Sequence, residues 1–362
     1  MRFGAHYLPT YIPELDGSPS EFYQHMFAQM ELLDEVGMDD IWVTEHHFHE
    51  YGGMVPHPPT FLAAAARTTK RAHLGVAISV LPFHEPVQIA ESYAMVDVIS
   101  NGRLEFGLGR GSTPPEYQGF GLTQDDSAVR MKEAGEVIQT AWSQETLEYH
   151  GQIFNYGPVR VLPQPVQRPH PPIWVGASRS DDTFRWAGQK GFHLMTLPYM
   201  YEPPVLQHWI GVYKEALADA GYDPTTREIL GKFHIYVGES DSGARSEASP
   251  YLANYEGVTR TRNMLVRGAT NVPLRDRHDI DHEIQTGNVI AGDPQRVIEI
   301  IHRWRETLGL TTISGTFFFG GLPQELTFKN IRLFAERVIP EFRGTNAGHT
   351  TTPSIAASVT SS

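Results

Sequence analysis

Short apolar runs rich in β-branched and aromatic residues alternate along the chain with stretches whose apolar positions recur at helical spacing. Eight runs read as strands, at residues 2–8, 40–44, 73–81, 104–108, 173–175, 192–196, 229–237 and 312–319. Helical periodicity covers 20–36, 58–69, 86–99, 127–142, 181–189, 203–220, 294–308 and 323–339. Five of these eight helices open on proline, which the first turn tolerates because its N–H has no intrahelical partner there. Strand–helix alternation of this kind predicts an α/β fold, a (β/α)8 TIM barrel, with the active site at the C-terminal ends of the strands.

One barrel domain is expected over residues 1–343 with two excursions. Residues 144–172, rich in proline and aromatics, are expected to form a hairpin before the fifth strand. Residues 239–292 mix charged and helical stretches and separate the seventh strand from its helix; long segments on a barrel's catalytic face commonly serve as lids or binding loops. Residues 344–362 are small and polar and are expected to be a disordered tail.

Composition narrows the partners. The 362 residues carry a formal charge of -13, which disfavours nucleic acid and anionic membrane surfaces, since both are bound through lysine and arginine. A small-molecule ligand fits better. With no cysteine there is no disulfide, thiolate metal site, iron–sulfur cluster or cysteine nucleophile. The chain opens on the strand-like M-R-F-G-A-H-Y-L, and no apolar stretch approaches the roughly 20 residues that span a bilayer, so a cytoplasmic protein is expected.

Directly after the second strand, W-V-T-E-H-H-F-H-E-Y-G (42–52) places three histidines and two glutamates within six positions. Extended backbone puts Glu45 and His47 on one side and His46 on the other. His47 and His49 have the i, i+2 spacing of two metal ligands, yet a zinc site needs a third, and the other strand ends offer few: His84 after the third strand, and no acidic residue or histidine in 173–178. A neutral histidine at a barrel strand end is also suited to moving protons near neutral pH. The residues alone leave three readings open: metal site, acid/base site, and hydrogen-bonded polar loop.

Two further stretches suit an anion. In S-N-G-R-L-E-F-G-L-G-R-G-S (100–112) the fourth strand runs out into Gly109-Arg110-Gly111, where glycines allow close approach and Arg110 supplies a permanently charged fork; a tight turn with an exposed arginine reads equally well from that motif alone. In P-I-W-V-G-A-S-R-S-D-D-T (172–183) the fifth strand leads straight into a helix start, whose free amides and the hydroxyls of Ser178, Ser180 and Thr183 could receive a phosphate, or simply cap the helix. No Walker A motif and no strand-following G-x-G-x-x-G is present, which argues against a nucleoside triphosphate or a Rossmann-bound dinucleotide.

Seven motifs in order carry a family resemblance: M-R-F-G at the start, E-H-H-F after the second strand, G-V-A-I-S-V-L-P at the third, H-E-P-V-Q-I-A-E in the next helix, S-N-G-R-L-E-F-G-L-G-R-G at the fourth, P-I-W-V-G-A-S at the fifth, and N-V-I-A-G-D-P before the penultimate helix. From Met1 to about Phe342 the chain resembles the bacterial luciferase-like flavin-dependent monooxygenases. The resemblance implies that His46 is the catalytic histidine, that Arg110 and Arg130 bind the flavin phosphate, and that Ala177, Ser178, Ser180 and Thr183 lie in the phosphate loop. It places Ala77-Ile78 at a non-proline cis peptide beneath the isoalloxazine. Trp42, Phe48 and Phe317, at strand ends, are candidate substrate-pocket walls, with barrel core as the competing assignment. No metal is expected.

The resemblance further implies an enzyme that receives reduced FMN (FMNH2) from a separate NAD(P)H:flavin reductase, reacts it with O2 through a flavin C4a-peroxide, and oxygenates a small aldehyde, ketone or secondary metabolite. A homo- or heterodimer is implied. Gly109 stands where the light-emitting luciferase subunit has a reactive cysteine, which disfavours aldehyde oxidation with light emission. The alternatives are an F420-dependent oxidoreductase of the same superfamily, a metal-dependent barrel hydrolase using His47 and His49, and a non-catalytic flavin-binding barrel.

Overall fold

The computed structural model of the protein describes residues 1–178, 180–268 and 279–344, and side chains within these ranges except those of 260–268. In chain order the strands are β1 (Arg2–Tyr7), β2 (Asp40–Val43), β3 (His73–Val80), β4 (Leu104–Gly109), β5 (Leu147–His150), β6 (Asn155–Val159), β7 (Ile173–Gly176), β8 (His193–Thr196), β9 (Ile229–Val237), β10 (Val289–Gly292) and β11 (Thr312–Thr316). Eight of them run parallel in the cyclic order β1-β2-β3-β4-β7-β8-β9-β11. The ring is sealed where Arg2 stands beside Thr312, and on the far side where Leu194 stands beside Ile229. This is the expected (β/α)8 barrel.

Strands buried on both faces read as continuous apolar runs. β2, β4 and β9 are buried at every position. The helices around them include α1 (Pro13–Asp16), α2 (Pro19–Glu35), α3 (Pro58–Thr68), α4 (Pro86–Ser100), α5 (Pro114–Gly119), α6 (Ser127–Ser143), α7 (Asp181–Gln189) and α8 (Pro203–Asp219). α2 shows why the chain turns helical where it does. Ser18 and Glu21 form a reciprocal capping box around Pro19, and Phe22, Met26, Met30 and Leu33 then bury one face.

Both excursions carry structure of their own. β5 and β6 pair as an antiparallel ladder between α6 and β7. After β9 the chain forms α9 (Asp241–Gly268), α10 (Ile280–Thr286) and β10, then α11 (Pro294–Leu308). His234 of β9 is in register with both Val289 and Thr316, so β10 takes the edge of β9 that β8 leaves beyond Gly231. The expected tail at 345–362 lies outside the described residues. The last strand ends at Thr316 rather than 319, because Gly320 and Gly321 adopt positive φ and turn the chain towards α12 (Gln324–Leu333).

Two features organise the barrel interior. At the N-terminal end Arg2 ties β1 to Asp40 of β2, Glu105 of β4 and Glu228 just before β9. Above it Trp42, Trp174, Met195 and Leu230 form a buried cluster, the two indoles edge to face at 5.3 Å, with Ala77 and Ile78 packed against it.

Candidate active site

A cavity of about 170 Å³ opens at the C-terminal mouth of the barrel. One water needs only about 10–15 Å³ by this measure, so the space suits an organic ligand. Residues at or near the C-terminal ends of β1, β2, β3, β4, β7 and β8 line it, and Leu230 and Lys232 reach it from within β9.

On the β2 side, Glu45 and Glu116 organise the histidines. Glu45 Oε1 receives His84 Nε2 at 2.6 Å and His47 Nε2 at 3.1 Å, while Oε2 accepts from the Val80 N–H at 3.1 Å and the Ser79 hydroxyl at 3.3 Å. Burial pushes this carboxyl up, but the bonds from His47 and His84, the charge of His84 and the Val80 amide outweigh it and hold it at about 2. An ionised carboxylate only accepts, so both imidazoles carry their hydrogen on Nε2.

Glu116 does the same for His46. Its Oε1 lies 2.8 Å from His46 Nδ1 and accepts the His47 backbone N–H at 3.0 Å. His49 Nε2 stands 3.3 Å from that oxygen without the alignment of a hydrogen bond. Burial again pushes the carboxyl up, and contacts from His46 and His49 and the His47 amide bring it well below the usual carboxylate range. Nδ1 of His46 therefore carries a hydrogen, and Nε2 is the ring atom left to gain or lose a proton. Although β2 ends at Val43, the predicted division holds: Glu45 and His47 bond to each other, and His46 turns to a different carboxylate.

His47 and His49 thus serve separate carboxylates and do not form the pair a metal hydrolase would use. Among the described residues a different trio, His46, His49 and Glu116, brings three ligand atoms within 4.8 Å of one another. Glu116 escaped the sequence reading because α5 is six residues long, too short to show periodicity. The signal available was T-P-P-E, proline and an acid in a first turn.

At the β4 and β7 ends, Arg110, Ser178 and Thr183 line the cavity together with Ala177. Ala77 and Ile78, joined by a cis peptide, line it from β3 at a break in the β3–β4 register. Glycine makes room for Ile78: a Cβ on Gly109 would lie 2.5 Å from its Cδ1, and one on Gly176 2.7 Å from its Cγ2. Ser180 does not line the cavity but sits with its hydroxyl 3.4 Å from that of Thr183.

Four other expected site residues do not line this cavity. Arg130 lies outside the lining, bonded to Asp126 at 2.8 Å and 5.8 Å from the Phe154 ring. Trp42 is wholly buried in the cluster below the cavity. Phe48, at φ 66°, points outward and is 63% exposed against Phe120. Phe317 leaves the barrel ladder and packs edge-on against Phe334 in the outer layer. The walls are instead Leu8, Tyr51, Val80, Leu197, Tyr199 and their neighbours.

An arginine with two hydroxyls and a carboxylate-backed histidine thus share one cavity at the mouth of a (β/α)8 barrel, the arrangement of an enzyme site. The family model for luciferase-like monooxygenases matches residues 1–312, and the chain belongs to that family, hence to the oxidoreductases. It is 28% identical over 330 residues, 89% of each chain, to the flavin-dependent trigonelline monooxygenase, oxygenase component, of Acinetobacter baylyi. The solved monooxygenase RslO1 from Streptomyces bottropensis is similar at 31% identity and TM-score 0.84, over 94% of this chain and all of that one. The oxygenating constituent of 3,6-diketocamphane monooxygenase from Pseudomonas putida, solved with FMN, shares the fold at TM-score 0.80 and 20% identity, over 94% of this chain and 98% of that one. No helix among the described residues is long and apolar enough to cross a membrane.

Proposed function

We propose that the protein is the oxygenase component of a two-component monooxygenase, binding FMN reduced by a separate NAD(P)H:flavin reductase and oxygenating a small organic substrate with O2. The observation that carries this reading is the placement of Arg110, Ser178 and Thr183 at one side of a single cavity and the His46–Glu116 pair, at 2.8 Å, at another.

The donor set fits FMN. Arg110 gives a planar fork for a phosphate, Ser178 and Thr183 give hydroxyls, and the nine-residue α7 begins between those two residues. Ala77, Ile78, Gly176 and Ala177 give a mostly apolar wall for a fused ring. Bound reduced FMN supplies the electrons that activate O2. The protein's own tasks are binding, orientation, water exclusion and proton handling. Ile78, seated on the tryptophan cluster, fixes the depth at which a ring rests. The cluster closes the barrel to water from below. His46 holds or delivers a proton at Nε2, and Glu116 stabilises the imidazolium when it forms. Ser180 steadies Thr183 rather than touching the phosphate.

Anaerobic titration with reduced FMN, followed by mixing with O2, tests the reading. Saturable binding and an oxidation slower than that of free flavin are expected, and His46→Ala is expected to bind FMN equally while losing the slow phase. Failure to bind FMN, with binding of F420 or inactivation by chelators instead, overturns it.

A further inference from the structure

His46, His49 and Glu116 have a binding capacity that proton handling does not use up. Glu116 spends Oε1 on His46 Nδ1 and the His47 amide, while Oε2 is buried and has no partner. At Glu45, by contrast, two histidines, the Val80 amide and the Ser79 hydroxyl occupy both oxygens. His49 shows the same excess. Both its ring nitrogens are buried and neither is hydrogen-bonded, although Nε2 stands 3.3 Å from Glu116 Oε1. Buried polar atoms left in this state cost free energy and call for a catalytic role, a water or an ion, and His49 does not line the cavity where the chemistry takes place.

The geometry suits an ion. One ligand atom from each of the three side chains lies within 4.8 Å of the others, the one such trio among the described residues. In a tetrahedral site with bonds of about 2.0–2.1 Å, neighbouring ligand atoms are about 3.3 Å apart. The separations of 2.8 and 3.3 Å from Glu116 Oε1 are already close to that, and the two imidazoles, 5.6 Å apart between centroids, need only a modest closing. The backbone holds them in place. Phe48, between the two histidines, takes φ 66°, which bulky residues seldom adopt, and turns the chain so that residues three apart meet one carboxylate. A Cβ on Gly52 would lie 2.6 Å from His46 Cδ2, and one on Gly53 2.1 Å from the His49 carbonyl oxygen, so the loop folds back tightly on both. His46 and Glu116 line the cavity, which gives an ion its way in. Two imidazoles and a carboxylate are a donor set for Zn2+ and leave one tetrahedral position for water.

We propose that His46, His49 and Glu116 bind a single Zn2+ ion and that the bound ion switches the enzyme off. Coordination through Nδ1, the nitrogen facing Glu116, displaces the hydrogen there and leaves the His46 ring at most one hydrogen, on Nε2. A ring held by a dication does not take up a second proton, and Glu116 is then engaged by the metal. The inhibition, though not the binding, rests on the monooxygenase reading, in which His46 holds or delivers a proton. Such an ion acts in the opposite sense to that of a metal hydrolase, and it departs from the expectation that no metal binds.

Calorimetric titration of the FMN-free protein with Zn2+ at neutral pH reads the binding. One site with a Kd of about 10 μM or tighter is expected, short of a structural site with four protein ligands. His49→Gln leaves the His46–Glu116 pair in place and is expected to weaken the site by about 10–100-fold or more, since even groups that only orient a metal ligand are worth that much. In the FMN-loaded wild type, saturating Zn2+ is expected to remove the slow phase of flavin oxidation as His46→Ala does, and EDTA to restore it; in His49→Gln the slow phase is expected to persist with Zn2+ present. A wild type with no saturable site overturns the proposal. So does a site that keeps its full affinity in His49→Gln, because the ion then sits on other histidines. Binding that leaves the slow phase intact overturns the inhibition. Should His49→Gln fail to fold, Glu116→Gln is titrated in its place and must show the same loss of affinity. Failure of the protein to bind FMN ends the flavin reading, and the inhibition with it, while the calorimetry still decides the metal site.

Discussion

Replacing Glu45 by glutamine keeps the shape of the side chain and removes the charge that fastens the histidine loop to the end of β3. Glu45 accepts from four groups, His84 at 2.6 Å, His47 and the Val80 N–H at 3.1 Å, and Ser79 at 3.3 Å. Glutamine can serve the Val80 amide only by turning its NH2 towards His47 and His84, whose Nε2 hydrogens then meet a donor. The magnitude follows from linkage. Folding lowers the Glu45 carboxyl from 4.5 to about 2, and at 1.36 kcal/mol per pH unit the bound carboxylate contributes about 3 kcal/mol. Because the folded value is the lower one, this stabilisation is complete above the unfolded value and is lost as pH falls through 4.5 towards 2. Spread over 362 residues with an unfolding entropy of about 2.1 cal/mol/K each, it corresponds to a melting-temperature loss of about 4 °C for Glu45→Gln at neutral pH. Urea unfolding of both proteins followed by tryptophan fluorescence, at about pH 7, 5, 4 and 3.5, reads the gap and its acid dependence. A variant as stable as the wild type at neutral pH refutes the reasoning. So does a gap that stays constant on acidification, which would indicate a packing fault rather than a lost charge.

Glu116→Gln is expected to slow the oxygen reaction of bound reduced FMN by about 10–100-fold, the worth of one charge-assisted bond, and to shift its pH profile, which a purely structural role would leave in place. Arg110→Gln is expected to raise the dissociation constant for FMN by about 10–100-fold while leaving riboflavin, which lacks the phosphate, within about twofold; equal losses for both would remove Arg110 from the phosphate site. Gly75→Ala places a Cβ 2.1 Å from Cε3 of Trp42, and overpacking of this kind costs about 1–3 kcal/mol, measurable as a lower urea midpoint that Trp42→Phe in the same chain partly restores.

How much of this could be read beforehand depends on the kind of signal. β9 matched its predicted limits, 229–237, because nine residues buried on both faces leave an uninterrupted run even with Lys232 and His234 inside it. The final strand was overextended for the opposite reason: Phe317, Phe318 and Phe319 have every strand preference, and only the paired glycines after them bend the chain away. Period-two alternation says whether a residue faces into a barrel but not at what depth, so Trp42 looked like a wall of the mouth and is its foundation. His46, Arg110, Ser178 and Thr183 were legible through motif likeness and do share one cavity. Arg130 is named by the same likeness and lies outside the lining of that cavity. Glu116 and Lys232 carried no local motif, since one sits on a single short turn of helix and the other looks like a stray charge within an apolar strand.

The interlocked pair of indoles, Trp42 and Trp174, divides the barrel into two storeys that can change at different rates. Below it the Arg2 network and the close-packed β2 and β4 leave little room for variation without loss of the fold. Above it Leu8, Tyr51, Tyr199 and Lys232 rest on a finished platform, and exchanging them alters what is held there with small consequence for what holds it up. A combinatorial library confined to that upper storey should return mostly folded proteins with different appetites, which makes the chain a practical starting point for redirecting an oxygenation.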